Sequence, residues 1–152
     1  MYPQYHFLFG LIFIFLLKLL VPFFTLYDVL IIFLASFFID IDHYFYYVFK
    51  KKGWSINDAY AWFIDTGEKL RQMPRQERKG YKTAIMIFHG IECWIILFLL
   101  SFLNKIFLFI LIGFLFHALI DHIDIIIHKE PLYPKLSAIY TAIKDKNKKD
   151  ID

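Results

Sequence analysis

Apolar residues fall into four long segments of the chain, separated by short turns and by one extended polar stretch. The segments cover about residues 5–21, 26–49, 83–103 and 106–128. Each is close to or above the ~20 residues that an α-helix needs to cross the hydrocarbon core of a bilayer. The pattern predicts an all-α fold with four transmembrane helices.

The polar stretch, residues 54–82, contains one further predicted helix. Ser55 followed by Asp58 resembles a capping box, with Asp in place of the usual Glu. Apolar residues then recur at helical spacing until Met73 and Pro74 interrupt the pattern. We predict an amphipathic helix over about residues 55–72, lying on the membrane surface or on the bundle.

The distribution of basic residues predicts the orientation of these helices. Nine of the 17 Lys and Arg residues lie in the loop 50–82, and six follow residue 128, which leaves Lys18 and Lys105 for the other side. The positive-inside rule then places the loop and both termini in the cytoplasm. The fold class is therefore a polytopic plasma-membrane or inner-membrane protein: a four-transmembrane-helix bundle plus an amphipathic cytoplasmic helix.

Composition supports a membrane protein and excludes several other classes. The chain of 152 residues is 59% hydrophobic, with 19 Phe, too little polar surface for a soluble domain of this size. Its single cysteine, Cys93, excludes a disulfide framework and a Cys-rich zinc site. The first apolar run lacks a basic leader and a cleavage site, so we expect a retained helix. The topology explains the basic loop, and no nucleic-acid partner is expected.

The fourth apolar segment ends in the sequence HALIDHIDIIIH, which places a polar stripe on a hydrophobic helix. At about 100° per residue, His117, Asp121, Asp124 and His128 fall within roughly 60° of one face. His122 points elsewhere, as expected of a structural or interfacial residue. Asp124 and His128 lie too far along the helix to share a metal with His117. We interpret them as the water-exposed entrance of a site or as residues that support its ligands.

Three segments bring polar side chains to one depth, roughly 9–16 Å from their predicted cytoplasmic ends at 1.5 Å per residue. Polar side chains three or four residues apart within a segment share one helix face. Burying an acidic side chain in lipid costs about 2.5 kcal/mol or more, so a set of such groups must neutralise one another or bind a cation. The candidates, of which His6 requires the first helix to begin inside the protein, are His6, Asp40, Asp42, His43, His89, Glu92, His117 and Asp121.

Imidazole and carboxylate donors without thiolate suit Zn²⁺, Mn²⁺ or Fe²⁺, with zinc the best fit. Eight candidates exceed the four positions of one tetrahedral ion. Either two ions bind, or one ion binds and the remaining groups serve as general base and second shell. A bound divalent ion would lower the pKa of a water molecule toward 7 and make it a nucleophile.

The order of these motifs resembles that of the inner-membrane metal-dependent hydrolases of the LexA-regulated type. The likeness covers most of residues 1–134: an N-terminal His, Asp40-Ile41-Asp42-His43, His89-Gly90, and Gly113, His117 and Asp121 at four-residue spacing. A Pro-Leu-Tyr-Pro sequence follows the last helix. The third segment departs from the family, since it lacks the Arg and second His of a His-Arg-Gly-x-Thr-His pattern, and Glu92 is the candidate replacement for that His.

The resemblance implies a metal-dependent hydrolase, and a fainter similarity to helical zinc phospholipase C enzymes favours a phosphoester substrate. We expect residues 1–134 to form a single membrane-embedded metal-binding domain with cytoplasmic loop 50–82, followed by a polar cytoplasmic tail, 135–152. Membrane lipids are the expected partners, and a lipid or lipid-linked phosphoester is the expected substrate. The expected metal ligands are His6, Asp42, His43, His89, His117 and Asp121, with Asp40 and Glu92 as ligand or general-base candidates.

Two other functions fit the same residues. Acidic and imidazole side chains inside a membrane also mark the path of a metal-ion or proton transporter. The nearly pure Phe, Ile and Leu composition of the outer halves argues for a one-sided site instead. The second alternative is a non-catalytic membrane protein whose polar core is structural or holds a structural metal.

Overall fold

The structure is a computed structural model that describes residues 3–151, and within this range it is all-helical. An isolated parallel bridge joins Tyr81 and Lys149, and the described residues form no strand. The all-α prediction is therefore confirmed. The helices are α1 (Pro3–Leu20), α2 (Leu26–Phe38), α3 (Ile41–Lys51), α4 (Ile56–Gln72), α5 (Arg75–Arg78), α6 (Ile91–Ser101), α7 (Lys105–Ile127), a 3-10 helix (Tyr133–Lys135) and α8 (Ala138–Lys144).

Two helical stretches of the described chain are long and apolar enough to cross a membrane. They are Leu26–Lys51, which combines α2 and α3, and Lys105–Ile127, which is α7. Helices α1 and α6 are apolar but shorter. Large apolar side chains on all four of these elements are exposed, an arrangement that water disfavours and lipid tolerates. The structure thus indicates a membrane protein, while four crossings remain a prediction.

The predicted third helix begins later than its apolar pattern suggested. The prediction that this helix starts at about residue 83 was wrong, because α6 covers only Ile91–Ser101. Backbone groups before it bond to distant parts of the chain instead of to helical carbonyls. The amide of Thr83 donates to Asp145 Oδ2 at 2.8 Å, and that of Phe88 donates to Asp42 Oδ2 at 3.2 Å. These tertiary bonds hold residues 83–90 in an irregular conformation beside α7.

The predicted second helix is interrupted once, between α2 and α3. Asp42 N and His43 N bond to the carbonyls three residues earlier, at 3.5 and 3.0 Å, so the chain tightens around Ile39 and Asp40. The sequence pattern suggested a continuous helix over 26–49, which was wrong at this one turn. The break changes the direction in which Asp40 leaves the helix.

The centre of the fold is the packing of α7 against α2. Gly113 makes this approach possible, because a Cβ atom there would lie 2.4 Å from the carbonyl oxygen of Ile32 and 2.9 Å from Ser36 N. Helix α2 begins with a capping box, in which Thr25 and Asp28 bond each other's backbone amides at 3.2 and 2.9 Å. Helix α6 packs on the other side of α7, and α1 packs on α2.

The predicted amphipathic helix over residues 55–72 is confirmed as α4. Ser55 Oγ accepts a hydrogen bond from Asp58 N at 3.2 Å, as its capping position suggested. Ala59 packs against Tyr47 and Val48 of α3 in a small buried cluster. Helix α4 is therefore attached to α3, directly beside the residues that form the candidate site.

Candidate metal centre

Four side chains from three parts of the chain bring one donor atom each to a common point. Their donor atoms, which lie within 4.8 Å of one another, belong to Asp40, His89, His117 and Asp121. The two histidines are almost completely buried, at 0% and 1% exposure, and Asp121 is 2% exposed. The turn between α2 and α3 supplies Asp40, the irregular segment before α6 supplies His89, and α7 supplies the other two.

Five of the six distances among these atoms match those of a tetrahedral ion, and the sixth, between the two carboxylate oxygens, is within 4.8 Å. The Nε2 atoms of His89 and His117 lie 3.3 Å apart. Asp40 Oδ1 lies 3.5 and 3.4 Å from them, and Asp121 Oδ2 lies 3.5 and 3.4 Å from them. The centre of a regular tetrahedron with edges of about 3.4 Å lies about 2.1 Å from each corner, which is the usual zinc–nitrogen and zinc–oxygen bond length.

The outer nitrogen of each imidazole is held by an acceptor, and this defines the tautomer. His117 Nδ1 donates to the carbonyl oxygen of Ser36 at 2.7 Å, and His89 Nδ1 donates to Asp42 Oδ2 at 3.1 Å. Since Nδ1 carries the proton in both neutral rings, both Nε2 atoms present lone pairs toward the two carboxylates. Four acceptors therefore face one another, an arrangement that a cation stabilises and that is typical of metal-bound histidine.

Asp42 lies behind the four donors and orients two imidazoles. Its second oxygen, Oδ1, is 3.1 Å from His43 Nδ1 and its Oδ2 holds His89. His43 Nδ1 is also 3.4 Å from Asp40 Oδ1. Asp42 and His43, expected as ligands, thus lie next to the four-donor group, with Asp42 in the position of a carboxylate that supports a metal-binding histidine.

His6 of α1 adds a fifth buried group at the edge of the cluster. Its Nε2 lies 3.3 Å from Asp121 Oδ1, the oxygen that does not face the two histidines. Its ring stacks on that of His117 with centroids 4.0 Å apart and an angle of 13°. His6 can support Asp121, and together with that oxygen it would offer two donors to a second ion.

Glu92 is placed away from this group. Its carboxylate accepts hydrogen bonds from Ser137 Oγ at 2.5 Å and from the amides of Ala138 and Ile139 at 3.3 and 3.2 Å, at the start of α8. The expectation that it shares a face with His89 assumed a continuous helix through both residues. Because α6 begins only at Ile91, that geometric relation does not exist.

The remaining polar residues of α7 stay outside the four-donor group. Asp124 Oδ1 lies 3.5 Å from His128 Nδ1 on the half-exposed end of the helix, and neither residue lines the cavity beside the four donors. His122 Nδ1 donates to the carbonyl of Ala118 at 2.5 Å on another side of α7. Of the stripe on this helix, His117 and Asp121 alone belong to the group.

Lys135 is a functional candidate that the sequence interpretation missed. Its Nζ lies 2.5 Å from Asp121 Oδ2, although the residue follows α7 by eight positions and was assigned to the polar tail. Burial alone would lower the pKa of Lys135, but the charges of Asp121 and Asp40 outweigh it and raise the pKa above its ordinary value. The two prolines that flank Tyr133 indicated a turn, but no local pattern showed that the turn returns the chain to α7.

A cavity of about 240 Å³ borders the cluster on the side of α4. Its polar wall includes Asp40, His43 and Lys135, and its apolar wall includes Tyr60 and Phe63 of α4. Asp40 is the most accessible of the four donors, with a side chain 29% exposed. The site is therefore closed on the α2–α7 side and open toward a largely apolar cavity.

Comparison of the chain with family models, curated proteins and solved structures gives no match. The class of protein is therefore described from its fold and its candidate site alone. The described chain is an α-helical protein with two candidate membrane-spanning helices and a group of Asp and His residues able to hold a metal ion.

Proposed function

We propose that this protein is a membrane-embedded, metal-dependent hydrolase acting on a lipid or lipid-linked phosphoester. The observation that carries the proposal is the convergence of four donor atoms within 4.8 Å of one another, with an acceptor behind each imidazole that holds its Nδ1 proton. The resemblance of the motif order to inner-membrane metal-dependent hydrolases supports the same reaction class.

The donor set suits Zn²⁺ best and also Mn²⁺ or Fe²⁺. His89, His117 and Asp121 would hold one ion, and its fourth position, next to Asp40, would be open to water. His6 and the outer oxygen of Asp121 offer two donors to a second ion on the cavity side. A bound ion supplies a Lewis acid that polarises the ester and a water of lowered pKa.

The residues around the cavity have distinct roles in this reaction. Asp40, half-exposed where the cavity meets the cluster, accepts the proton of the attacking water. Lys135, protonated and close to the carboxylates, pairs with the negative charge that develops on the phosphoester. Asp42 positions His89 and His43 and does not touch the substrate.

The cavity supports an amphiphilic substrate. Ile56, Ala59, Tyr60 and Phe63 give α4 an apolar wall along the entrance, whereas the inner end is charged. An acyl or prenyl chain fits the apolar wall, and a phosphoester group then lies beside Lys135 and the metal donors. The substrate enters from the membrane instead of from water.

We place four crossings in the cell membrane, formed by α1, by α2 with α3, by residues 83–101, and by α7, with both termini in the cytoplasm. The irregular residues 83–90 fit this topology because His89 and Met86 are buried, and non-helical backbone is tolerated at membrane depth where protein covers it. In a Cys93→Ser background, Lys52→Cys is expected to react with a membrane-impermeant thiol reagent only from the cytoplasmic side, and Asn104→Cys only from outside. Labelling of both from one side would refute the topology.

Metal analysis of the purified protein tests the site. Wild type is expected to contain at least one equivalent of a transition metal, and Asp121→Asn is expected to lose it. Asp124→Asn is the matched control, since it removes a carboxylate one turn further along α7 and leaves the four donors intact. Wild type without stoichiometric metal, or equal loss in both variants, would refute the site.

A hydrolysis assay separates the enzyme from the alternatives. Metal-loaded protein in mixed micelles is expected to release phosphate or a phosphorylated headgroup from anionic lipids, and Asp121→Asn is expected to be inactive. A metal-ion or proton transporter, or a structural metal site, would hold metal without turnover. In the first half of α7, residues 105–116, Lys105 is the one charged residue, which favours a one-sided site over a transport path along this helix.

A further inference from the structure

A second cavity, of about 460 Å³, lies apart from the metal cluster and is strongly basic. It is bounded by the end of α4, by α5, by the turn after α7 and by α8. Eight basic side chains and a single acidic one, Glu130, line it. The basic residues are Arg71, Arg75, Arg78, Lys79, Lys82, Lys129, Lys144 and Lys148.

Carboxylates neutralise three of these eight cations. The pairs are Arg78 with Glu130 at 2.5 Å, Lys82 with Asp150 at 2.8 Å, and Lys148 with Asp145 at 2.7 Å. The first two pairs join α5 and residue 82 to distant parts of the chain, whereas the third links residues three apart at the end of α8. Asp145 also accepts hydrogen bonds from Thr83 and Tyr133, which connect it to the wall of the cavity.

The other five cations have no carboxylate partner within residues 3–151. They are Arg71, Arg75, Lys79, Lys129 and Lys144. The Nζ of Lys144 lies 3.9 Å from the centre of the Tyr133 ring, which holds it toward the cavity. Lys129 adopts a left-handed conformation, with φ 53°, where α7 ends. Unpaired like charges repel one another, so an anion at their centre would stabilise the arrangement.

We infer that this cavity binds a polyphosphate group, either free in solution or as the headgroup of a lipid. Two features favour phosphate. Two arginines without a carboxylate partner, Arg71 and Arg75, offer planar, multiple donors that match phosphate oxygens, and the lysines add point charges around them. The cavity also lies within the range of about 300–1,000 Å³ that is usual for small-molecule sites.

The membrane topology alone does not explain the cavity. The positive-inside rule favours Lys and Arg anywhere on a cytoplasmic surface. Here, cations from four separate parts of the chain surround one concavity, whereas Lys146 and Lys149 lie outside it. Those two lysines provide a charge-matched control on the same surface.

The test is calorimetric titration of the full-length protein in detergent with inorganic tripolyphosphate. The titration is run with wild type and with Asp121→Asn, so that metal at the other site does not contribute. Arg75→Gln combined with Lys79→Gln is expected to weaken binding at least about tenfold, because charge-assisted hydrogen bonds are lost. Lys146→Gln combined with Lys149→Gln is expected to leave affinity within about twofold.

Nanodiscs of phosphatidylcholine with and without diacylglycerol pyrophosphate identify the source of the group. Binding of tripolyphosphate in detergent assigns a soluble ligand, and binding only to the pyrophosphate-containing nanodiscs assigns a lipid headgroup. Equal loss in the two double variants, or no binding in either format, overturns the inference. Retention of binding by Asp121→Asn keeps this result independent of the proposed hydrolase activity.

Discussion

Replacing Gly113 by alanine is expected to damage both the fold and the metal site, although the residue touches no metal donor. A Cβ atom at this position would lie 2.4 Å from Ile32 O and 2.8 Å from Ala35 Cβ. Ordinary contacts between such atoms begin near about 3.2–3.5 Å, so α7 and α2 must separate by roughly 0.7–1 Å. Such overpacking typically costs about 1–3 kcal/mol of folding free energy.

The same displacement reaches the site through His117, one turn after Gly113. The bond from His117 Nδ1 to Ser36 O is 2.7 Å long and joins the two helices that must move apart. An increase of roughly 0.7–1 Å takes it beyond the usual range for an N–H···O bond. Loss of such a supporting bond lowers metal affinity by about 10- to 100-fold.

Competition with a fluorescent chelator measures the affinity, and thermal unfolding in detergent measures the stability. Gly67→Ala is the matched control, because a Cβ atom at Gly67 of α4 has no neighbour within 4 Å. Replacing that glycine inside a helix is expected to raise stability by up to about 1 kcal/mol. A Gly113→Ala protein with wild-type metal affinity and stability would refute the close helix contact and its role in the site.

Three further predictions concern single side chains. Asp42→Asn is expected to weaken metal binding about 10- to 100-fold in chelator competition, since His89 loses its carboxylate acceptor; unchanged affinity would contradict the support role. Lys135→Met is expected to lower kcat of phosphoester hydrolysis about 100-fold while metal content stays at the wild-type level, and loss of metal instead would make Lys135 structural. Burial alone would raise the pKa of Asp145, but hydrogen bonds, the first from Lys148, hold it below its ordinary value. The ionised Asp145 carboxylate therefore stabilises the folded protein above about pH 4, which is the pKa of Asp in an unfolded chain. This contribution to folding free energy is lost as the pH falls further. Asp145→Asn is expected to unfold at a lower temperature than wild type at pH 7, and its unfolding temperature is expected to fall less as the pH is lowered. Equal unfolding temperatures of the two proteins across this pH range would contradict the prediction.

The elements predicted well from the sequence are those in which local pattern and tertiary environment agree. Helix α7 was expected over about residues 106–128 and covers Lys105–Ile127, because residues 106–116 are uninterruptedly apolar and no proline occurs between Lys105 and Pro131. Helix α4 was equally clear, since a capping serine and an apolar stripe both point to the same boundaries. Local chemistry alone defines these elements.

The elements predicted poorly are those whose backbone bonds to a distant side chain. Residues 83–90 are as apolar as a transmembrane helix, yet Asp145 and Asp42 attract amides that a helix would use internally. Lys135 was missed for a related reason, since its return to Asp121 depends on the path of a turn. Such contacts depend on long-range geometry, which composition and periodicity do not encode.

The exchange of roles between Asp40 and Asp42 shows how a small backbone change decides the chemistry. On a continuous helix Asp40 would share a face with His43. The helical pattern alone does not show which of Asp40 and Asp42 is a metal ligand and which supports a ligand. The tightened turn at Ile39 directs Asp40 toward the two Nε2 atoms and leaves Asp42 behind His89. One carboxylate thereby faces the cavity and the other is buried at 5% exposure. The break therefore gives two neighbouring acids different accessibility, which a site needs if one is to meet substrate and the other is to orient an imidazole.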